Sequence, residues 1–209
     1  IDIKEDPQGN VWFATQGGGL WRLGKNNDWK QYKHVENDST SLVSDQVNCL
    51  AIGEKGQLYA VTGDGLCEYL PSKGIFRRIS IDAPSLDFAS LVISQGVMWI
   101  STSKGIVKYT PGEPVQLFNK YDGLTCDQFM PNAGLLASDG RIYFGSTRGF
   151  NCFYPYLVKI NQVAPPVAIT SVELFGQPIE AGSDQLEKSL SHAAELNLSH
   201  NENTINISF

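Results

Sequence analysis

An all-β fold built from β-propeller blades is what the sequence predicts, and three observations carry that prediction. A pattern of glycine, aromatic residue and hydroxyl residue recurs four times, the positions around it are filled by β-branched and aromatic residues, and glycine is used at 20 of 209 positions, above the usual share of about 7%. The four copies are Gly9-Asn10-Val11-Trp12-Phe13-Ala14-Thr15, Gly56-Gln57-Leu58-Tyr59-Ala60-Val61-Thr62, Gly96-Val97-Met98-Trp99-Ile100-Ser101-Thr102 and Gly140-Arg141-Ile142-Tyr143-Phe144-Gly145-Ser146. A second glycine with an apolar neighbour follows each copy: Gly19-Leu20, Gly65-Leu66, Gly105-Ile106 and Gly149-Phe150. Four residues beyond it stand Leu23, Tyr69, Tyr109 and Phe153.

The first glycines recur every 40 to 47 residues, a period shared by helical HEAT-type pairs and four-stranded propeller blades. Residue type decides between them. Each unit reads strand, glycine turn, strand, glycine turn, strand, and little of it has helical periodicity. Stretches such as Val97-Met98-Trp99-Ile100 are apolar on successive positions, as expected of a strand covered on both faces by neighbouring blades. Inner strands are expected near 47–52, 90–94 and 134–137, and outer strands near 29–33, 76–80 and 115–119. The four repeats then cover about 1–34, 42–80, 86–119 and 121–154.

Past Pro155 the pattern stops. Pro165-Pro166 enforces an extended backbone and marks a linker over 155–166. The stretch 167–175 starts a new strand, a turn follows at Gly176-Gln177-Pro178, and 183–191 reads as a polar loop in which Leu186 and Leu190 give a weak helical signal. Alternation at 195–198 and 205–207 indicates further strands. Residues 167–209 are therefore read as the N-terminal part of an immunoglobulin-like β-sandwich. Both ends of the chain read as interior to a longer protein: Ile1 to Asp6 is already strand material with no initiator Met, and the chain stops inside an alternating strand.

Composition excludes several classes of function. Charged residues make up 18% of the chain and hydrophobic residues 42%, which excludes a disordered tail or a charged long helix. A net charge of −6 argues against nucleic acid, which calls for a basic face. No apolar run reaches the roughly 18 residues of a membrane-spanning helix. The cysteines Cys49, Cys67, Cys126 and Cys152 form no C-x-x-C pair, so a zinc or thioredoxin-like site is not expected. They read as small buried thiols on strands, with an oxidised pair as the alternative.

The repeat resembles the two-component regulator propeller repeat, whose signature runs D-x-x-G-N-L-W-x-G-T-x-x-G-L-x-x-Y. The stretch from Asp6 to Thr15 is its best copy, and Asp139 to Phe150, preceded by Tyr121-Asp122-Gly123-Leu124 and followed by Phe153-Tyr154-Pro155, is similar to the last blade in that family. The run from Pro165 to Phe175 resembles the start of the Tyr-rich sandwich domain that follows such propellers. This resemblance implies the extracytoplasmic, periplasmic sensor region of a membrane-anchored hybrid two-component histidine kinase of Bacteroides-type bacteria. Such sensors detect oligosaccharides, regulate polysaccharide utilisation and pair as homodimers through the sandwich. The family architecture has two seven-bladed propellers, a membrane helix and kinase modules; this chain contains four repeats, part of a sandwich and no phosphoacceptor histidine motif.

No catalytic residue, cofactor or metal is expected from the sequence. His34, His192 and His200 lie away from any predicted propeller axis, and Gly17-Gly18-Gly19 lacks the G-K-[ST] and helix of a phosphate loop. Trp12 and Trp99 are expected in the blade core, while the pattern assigns no side to Trp21 or Trp29. Propellers bind ligands at the channel mouth, through turns and inner-strand ends. Candidate ligand-binding residues there are Asp64, Lys104 and Arg148, just before the second glycines, and Asp45, Gln46, Asp87, Phe88, Asp127 and Gln128, where inner strands begin. Carboxylates, amides, cations and aromatics together suit a sugar. Two other readings stay open: a lyase- or lactonase-type propeller enzyme with Asp45, Asp87 and Asp127 around a metal, and a protein-binding scaffold.

Overall fold

A computed structural model describes residues 2–83, 87–158, 168–193 and 195–209. It divides into two compact units, Ile1–Lys159 and Ile160–Phe209. Of the linker expected over 155–166, the part from 159 onward, with Pro165-Pro166, lies outside the described residues, as do Ile1 and the first residue of the strand expected at 167–175.

The first unit consists of four antiparallel sheets, each with its strands in sequence order. Blade 1 contains β1 (Asp2–Glu5), β2 (Val11–Ala14), β3 (Leu20–Leu23) and β4 (Trp29–Tyr32). Blade 2 contains β5 (Val47–Ile52), β6 (Leu58–Thr62), β7 (Gly65–Leu70) and β8 (Ile75–Ile79). Blade 3 contains β9 (Phe88–Ser94), β10 (Val97–Thr102), β11 (Gly105–Tyr109) and β12 (Gln116–Phe118). Blade 4 has three described strands, β13 (Phe129–Leu136), β14 (Ile142–Ser146) and β15 (Gly149–Phe153). The expected inner strands at 90–94 and 134–137 begin earlier than expected. In β13 the extra length is a register shift between Phe129 and Gly134, a bulge that no periodicity announces.

The repeat motif has a physical account at every position. Gly9, Gly56, Gly96 and Gly140 all have φ between +77° and +83°, a region that a side chain enters only with strain. The hydroxyl six residues on bonds the carbonyl of the second glycine in all four blades: Thr15 Oγ1 to Gly19 at 2.7 Å, Thr62 Oγ1 to Gly65 at 2.9 Å, Thr102 Oγ1 to Gly105 at 3.0 Å and Ser146 Oγ to Gly149 at 3.0 Å. The second glycine itself allows close passage: a Cβ on Gly105, at φ +131°, would lie 2.0 Å from the Phe118 carbonyl oxygen.

The aromatic three residues after the first glycine faces the next blade. Trp12 packs among Leu20, Tyr32, Leu58, Tyr69 and Phe76 between blades 1 and 2. Tyr59 lies with Met98, Ile100 and Val107 between blades 2 and 3. Trp99 lies with Ile106, Phe129, Ile142 and Phe144 between blades 3 and 4. Polar bonds join the inner strands as well: Leu50 N–H donates to Asp2 Oδ2 at 2.8 Å, and the Asn48 amide donates to the Phe88 carbonyl at 2.7 Å. A Cβ on Gly134 would fall 2.5 Å from Ser90 Oγ, so β13 approaches β9 closely. The far faces of the outer blades remain apolar and exposed. Ile3, Phe13 and Trp21 form one cross-strand row on blade 1, with Phe13 stacked on the half-exposed Trp29. Leu135, Tyr143 and Cys152 form the corresponding row on blade 4, beside the Gly145–Phe150 pair.

Asp6 anchors blade 1. Its carboxylate accepts from Gln8 N, Asn10 N, Asn10 Nδ2 and Trp12 Nε1, all within 3.0 Å. Burial pushes its pKa up, but the bonds from Trp12, Asn10 and Gln8 outweigh that and hold it below the ordinary carboxylate value.

In the second unit, β16 (Ser171–Leu174) pairs with β17 (Gln177–Pro178) on one side and β18 (Ile205–Ser208) on the other. The hairpin turn is Phe175-Gly176, with φ +48° and +77°, the left-handed pair that a two-residue hairpin favours. Pro178 sits on the edge strand, where no ladder N–H is missed. The alternation at 195–198 does not form a strand; Asn197 N–H bonds the Gln185 carbonyl instead. Leu186 is buried, as is Val172.

These contacts set three expectations. Asp6→Ala should destabilise the first unit by about 2–3 kcal/mol, since it leaves the buried Trp12 N–H without an acceptor; denaturant titration followed by tryptophan fluorescence checks this, and a change below about 0.5 kcal/mol would refute it. Because the folded pKa lies below the unfolded one, the stabilisation from the Asp6 charge is full above the unfolded pKa and is lost as pH falls through the folded value. The stability gap between the native chain and Asp6→Asn should accordingly narrow as pH is lowered from about 6 to about 3. For the turns, Gly105→Ala is expected to destabilise clearly more than Gly140→Ala. Gly140 has the same need for positive φ but no atom within 4 Å of its would-be Cβ, so its replacement costs only the backbone strain of about 1–2 kcal/mol. Thermal midpoints of the two variants decide it.

Candidate functional site at the mouth of blades 3 and 4

The turns closed by the hydroxyl bonds lie beside the segments that lead into the inner strands, and together they make one end of the blade array. The Asp45 carbonyl accepts from Gly17 N and Gly19 N, and Asp45 Oδ1 accepts from His34 N at 2.7 Å. The Asp87 carbonyl accepts from Ser103 N, while Asp87 Oδ2 accepts from Ser103 Oγ at 3.0 Å. Asp127 Oδ1 accepts from Lys120 N at 2.7 Å, and Thr147 N donates to the Gln128 carbonyl. Each aspartate thus ties a different turn or loop. Asp45, Asp87 and Asp127 do not converge, and among the described residues no three His, Cys, Asp or Glu side chains come together as a metal site.

Between blades 3 and 4 these turns open into a cavity of about 640 Å³ that Lys104, Asp127, Gln128 and Arg148 help to line. The structure therefore brings four of the nine sequence-derived candidates to one place. Asp87 borders it through its bond to Ser103, itself a lining residue. Asp45, Gln46 and Asp64 belong to the turns of blades 1 and 2. Phe88 is corrected: it is 1% exposed and packs in the core between blades 2 and 3, because β9 begins at Phe88 and its first five residues are buried on both faces of the strand.

Eight lining residues were not among the candidates, Lys120, Tyr121 and Cys126 among them. Lys120 and Tyr121 ride on a short 3₁₀ turn, Lys120–Asp122, that is capped reciprocally: Tyr121 N donates to Asn119 Oδ1 and Asn119 N donates to Asp122 Oδ2. The Asn119-x-x-Asp122 spacing ahead of Gly123 is the sequence signal that marks this turn. The result is a tyrosine 87% exposed, with the Lys120 ammonium 5.2 Å from its ring centroid.

The cysteines divide by environment. Cys49 and Cys67 are buried, as expected, and burial pushes the Cys49 thiol up to about 12 and raises that of Cys67. Cys126 is only partly buried and Cys152 is exposed, which departs from the expectation for all four. At Cys126 burial raises the pKa, but hydrogen bonds from Ser146, Gln128 and Thr147 together bring it below the ordinary thiol value.

Comparison with known proteins bears on the fold. No family profile matches the chain. A histidine kinase of Formosa agariphila, P4, is 26% identical over 115 residues, which are 54% of this chain and 8% of that kinase. Among solved structures, the extracellular domain assigned to the hybrid two-component system BT3049 of B. thetaiotaomicron superposes with a TM-score of 0.72 over 99% of this chain, at 23% identity. The fold is that of this domain. The extracellular domain assigned to BT4673 of the same organism matches 88% of the chain with a TM-score of 0.55 at 19% identity. Virginiamycin B lyase from Staphylococcus aureus matches 81%, with a TM-score of 0.54 at 18% identity. The chain spans 28% of the BT3049 domain, 24% of the BT4673 domain and 59% of the lyase. Among the described residues no helix is long and apolar enough to cross a membrane.

The thiol environments predict an order of reaction. Brief treatment of the folded chain with iodoacetamide near pH 7.5 should alkylate Cys126 first and Cys152 more slowly, leaving Cys49 and Cys67 unmodified until unfolding. Peptide mass spectrometry reads the order, and early labelling of Cys49 would contradict it.

Proposed function

We propose that this chain is part of the extracytoplasmic, periplasmic ligand-sensing region of a membrane-anchored hybrid two-component histidine kinase, and that the ligand is an oligosaccharide. The observation that carries the reading is the match over 99% of the chain to one extracellular domain of this kind, joined to a sequence relative that is a histidine kinase. The order of parts agrees with it, blades first and a separate small β unit after them. In this reading the second unit is the start of an immunoglobulin-like sandwich through which the parent pairs as a homodimer. Ligand at the propeller mouth then biases how the paired sandwiches sit, and the bias is passed on to the kinase. Regulation of polysaccharide utilisation would be the output.

The chain itself is read as non-catalytic, the chemistry belonging to kinase modules of the parent. The lyase-type alternative requires Asp45, Asp87 and Asp127 to share one ion, and each instead holds a separate turn or loop. Calorimetric titration of the purified chain with a broad panel of neutral and acidic oligosaccharides should reveal micromolar binding of one class. Absence of binding across the whole panel, together with a parent gene lacking a membrane helix and a phosphoacceptor histidine, would sink the reading.

A further inference from the structure

We propose that the cavity between blades 3 and 4 selects an acidic sugar, a uronate-bearing oligosaccharide whose carboxylate is held by Arg148 and Lys120 and whose ring lies on Tyr121. The proposal rests on the sensor reading above and narrows its ligand class. Charge is the first support. The chain carries 22 acidic residues against 16 basic ones, yet the cavity lining holds Lys104, Lys120 and Arg148 against one carboxylate, Asp127. That carboxylate is engaged by the backbone N–H of Lys120. Asp87, at the border, bonds the Ser103 hydroxyl, and even with it included the lining stays net positive. An arginine fork and a neighbouring ammonium match a carboxylate in geometry as well as sign.

Shape and the remaining lining chemistry are the second support. A volume of about 640 Å³ falls within the range of roughly 300–1,000 Å³ typical of small-molecule sites. Its other polar lining residues, among them Ser103, Thr125, Gln128 and Thr147, are uncharged donors and acceptors of the kind that pair with sugar hydroxyls. Tyr121 is the exposed aromatic surface at this cavity, fixed by the capped turn beneath it. An aromatic face beside a cation suits a pyranose that presents C–H groups on one side and a carboxylate at its edge. A neutral sugar would leave the two cations unpaired when it displaced their water.

The test uses the purified 209-residue chain and trimers of galacturonate, glucuronate, mannuronate and guluronate, each beside a neutral trimer of the matching hexose. Calorimetry should show binding of at least one uronate trimer, weakened tenfold or more in Arg148→Ala/Lys120→Ala and severalfold in Tyr121→Ala. Raising salt from 50 to 500 mM should weaken it as well, and Arg148→Lys should restore part of the loss. Circular dichroism confirms that each variant remains folded. Equal binding of a neutral counterpart, untouched by the double substitution, overturns the charge assignment while leaving the sensor reading standing. Binding of a uronate that survives all three substitutions places the site elsewhere and overturns the proposal. Failure of every uronate trimer also overturns it, whereas the sensor reading falls only if the broad panel fails too.

Discussion

One hydrogen bond, made four times, organises the first unit: a threonine or serine hydroxyl at the end of the second strand of a blade donates to the carbonyl of the glycine that opens the third. It closes the connecting turn within three or four residues and aligns the two strands that flank it. With the turn closed, the alternation of the second strand sends its aromatic toward the neighbouring blade and the residue after it the other way. A sheet buries each face only against a partner, and the aromatic is one of the buried residues at each of the three blade interfaces. The mouth cavity lies between two turns of this design, so its shape depends on bonds that never touch a ligand.

The aromatic layer is not equally supported everywhere. In blade 1 the indole N–H of Trp12 finds Asp6, whose carboxylate also holds the preceding turn. In blade 3 the residue six positions before Trp99 is Ile93, and the Trp99 Nε1 is buried without a hydrogen-bond partner. Packing makes up part of that deficit. Trp99 stacks with Phe118 at 6.1 Å and meets Phe153 at 5.0 Å, whereas Trp12 meets Tyr32 and Tyr69, whose hydroxyls bond each other at 2.9 Å. Blade 1 therefore meets its neighbour through a partly polar interface, and blade 3 through an apolar one next to the mouth.

Much of this was legible in the amino-acid sequence, because the repeat residues are chosen by local physics. Positive φ demands the first glycine, the turn bond demands the hydroxyl, and close passage of a carbonyl demands the second glycine at Gly19 and Gly105, so four copies in register announce strands, turns and faces together. What escaped was set by long-range geometry. The bulge in β13 comes from how Phe129 and Gly134 register with β14, not from any composition. Phe88 looked like a rim residue because it stands ahead of the expected inner strand, but the strand begins two positions sooner than the repeat suggests and the ring is buried. The exposure of Cys152 follows from its place on the free face of blade 4, a property of neighbours rather than of spacing. At the mouth, Lys104, Asp127, Gln128 and Arg148 could be anticipated from their turn positions. Tyr121 could not, since only a capped 3₁₀ turn brings it to the cavity.

Just before the second glycine stands a position whose residue type changes from blade to blade. Asp64, Lys104 and Arg148 occupy this slot in blades 2, 3 and 4 and are all exposed. A carboxylate, an ammonium and a guanidinium are accepted there on the same scaffold, because the clasp is made by flanking atoms. The variable position and the clasp glycine are thereby separate residues a single peptide bond apart. A point substitution there changes the sign and reach of a turn while the hydroxyl-to-carbonyl bond beside it keeps both of its atoms.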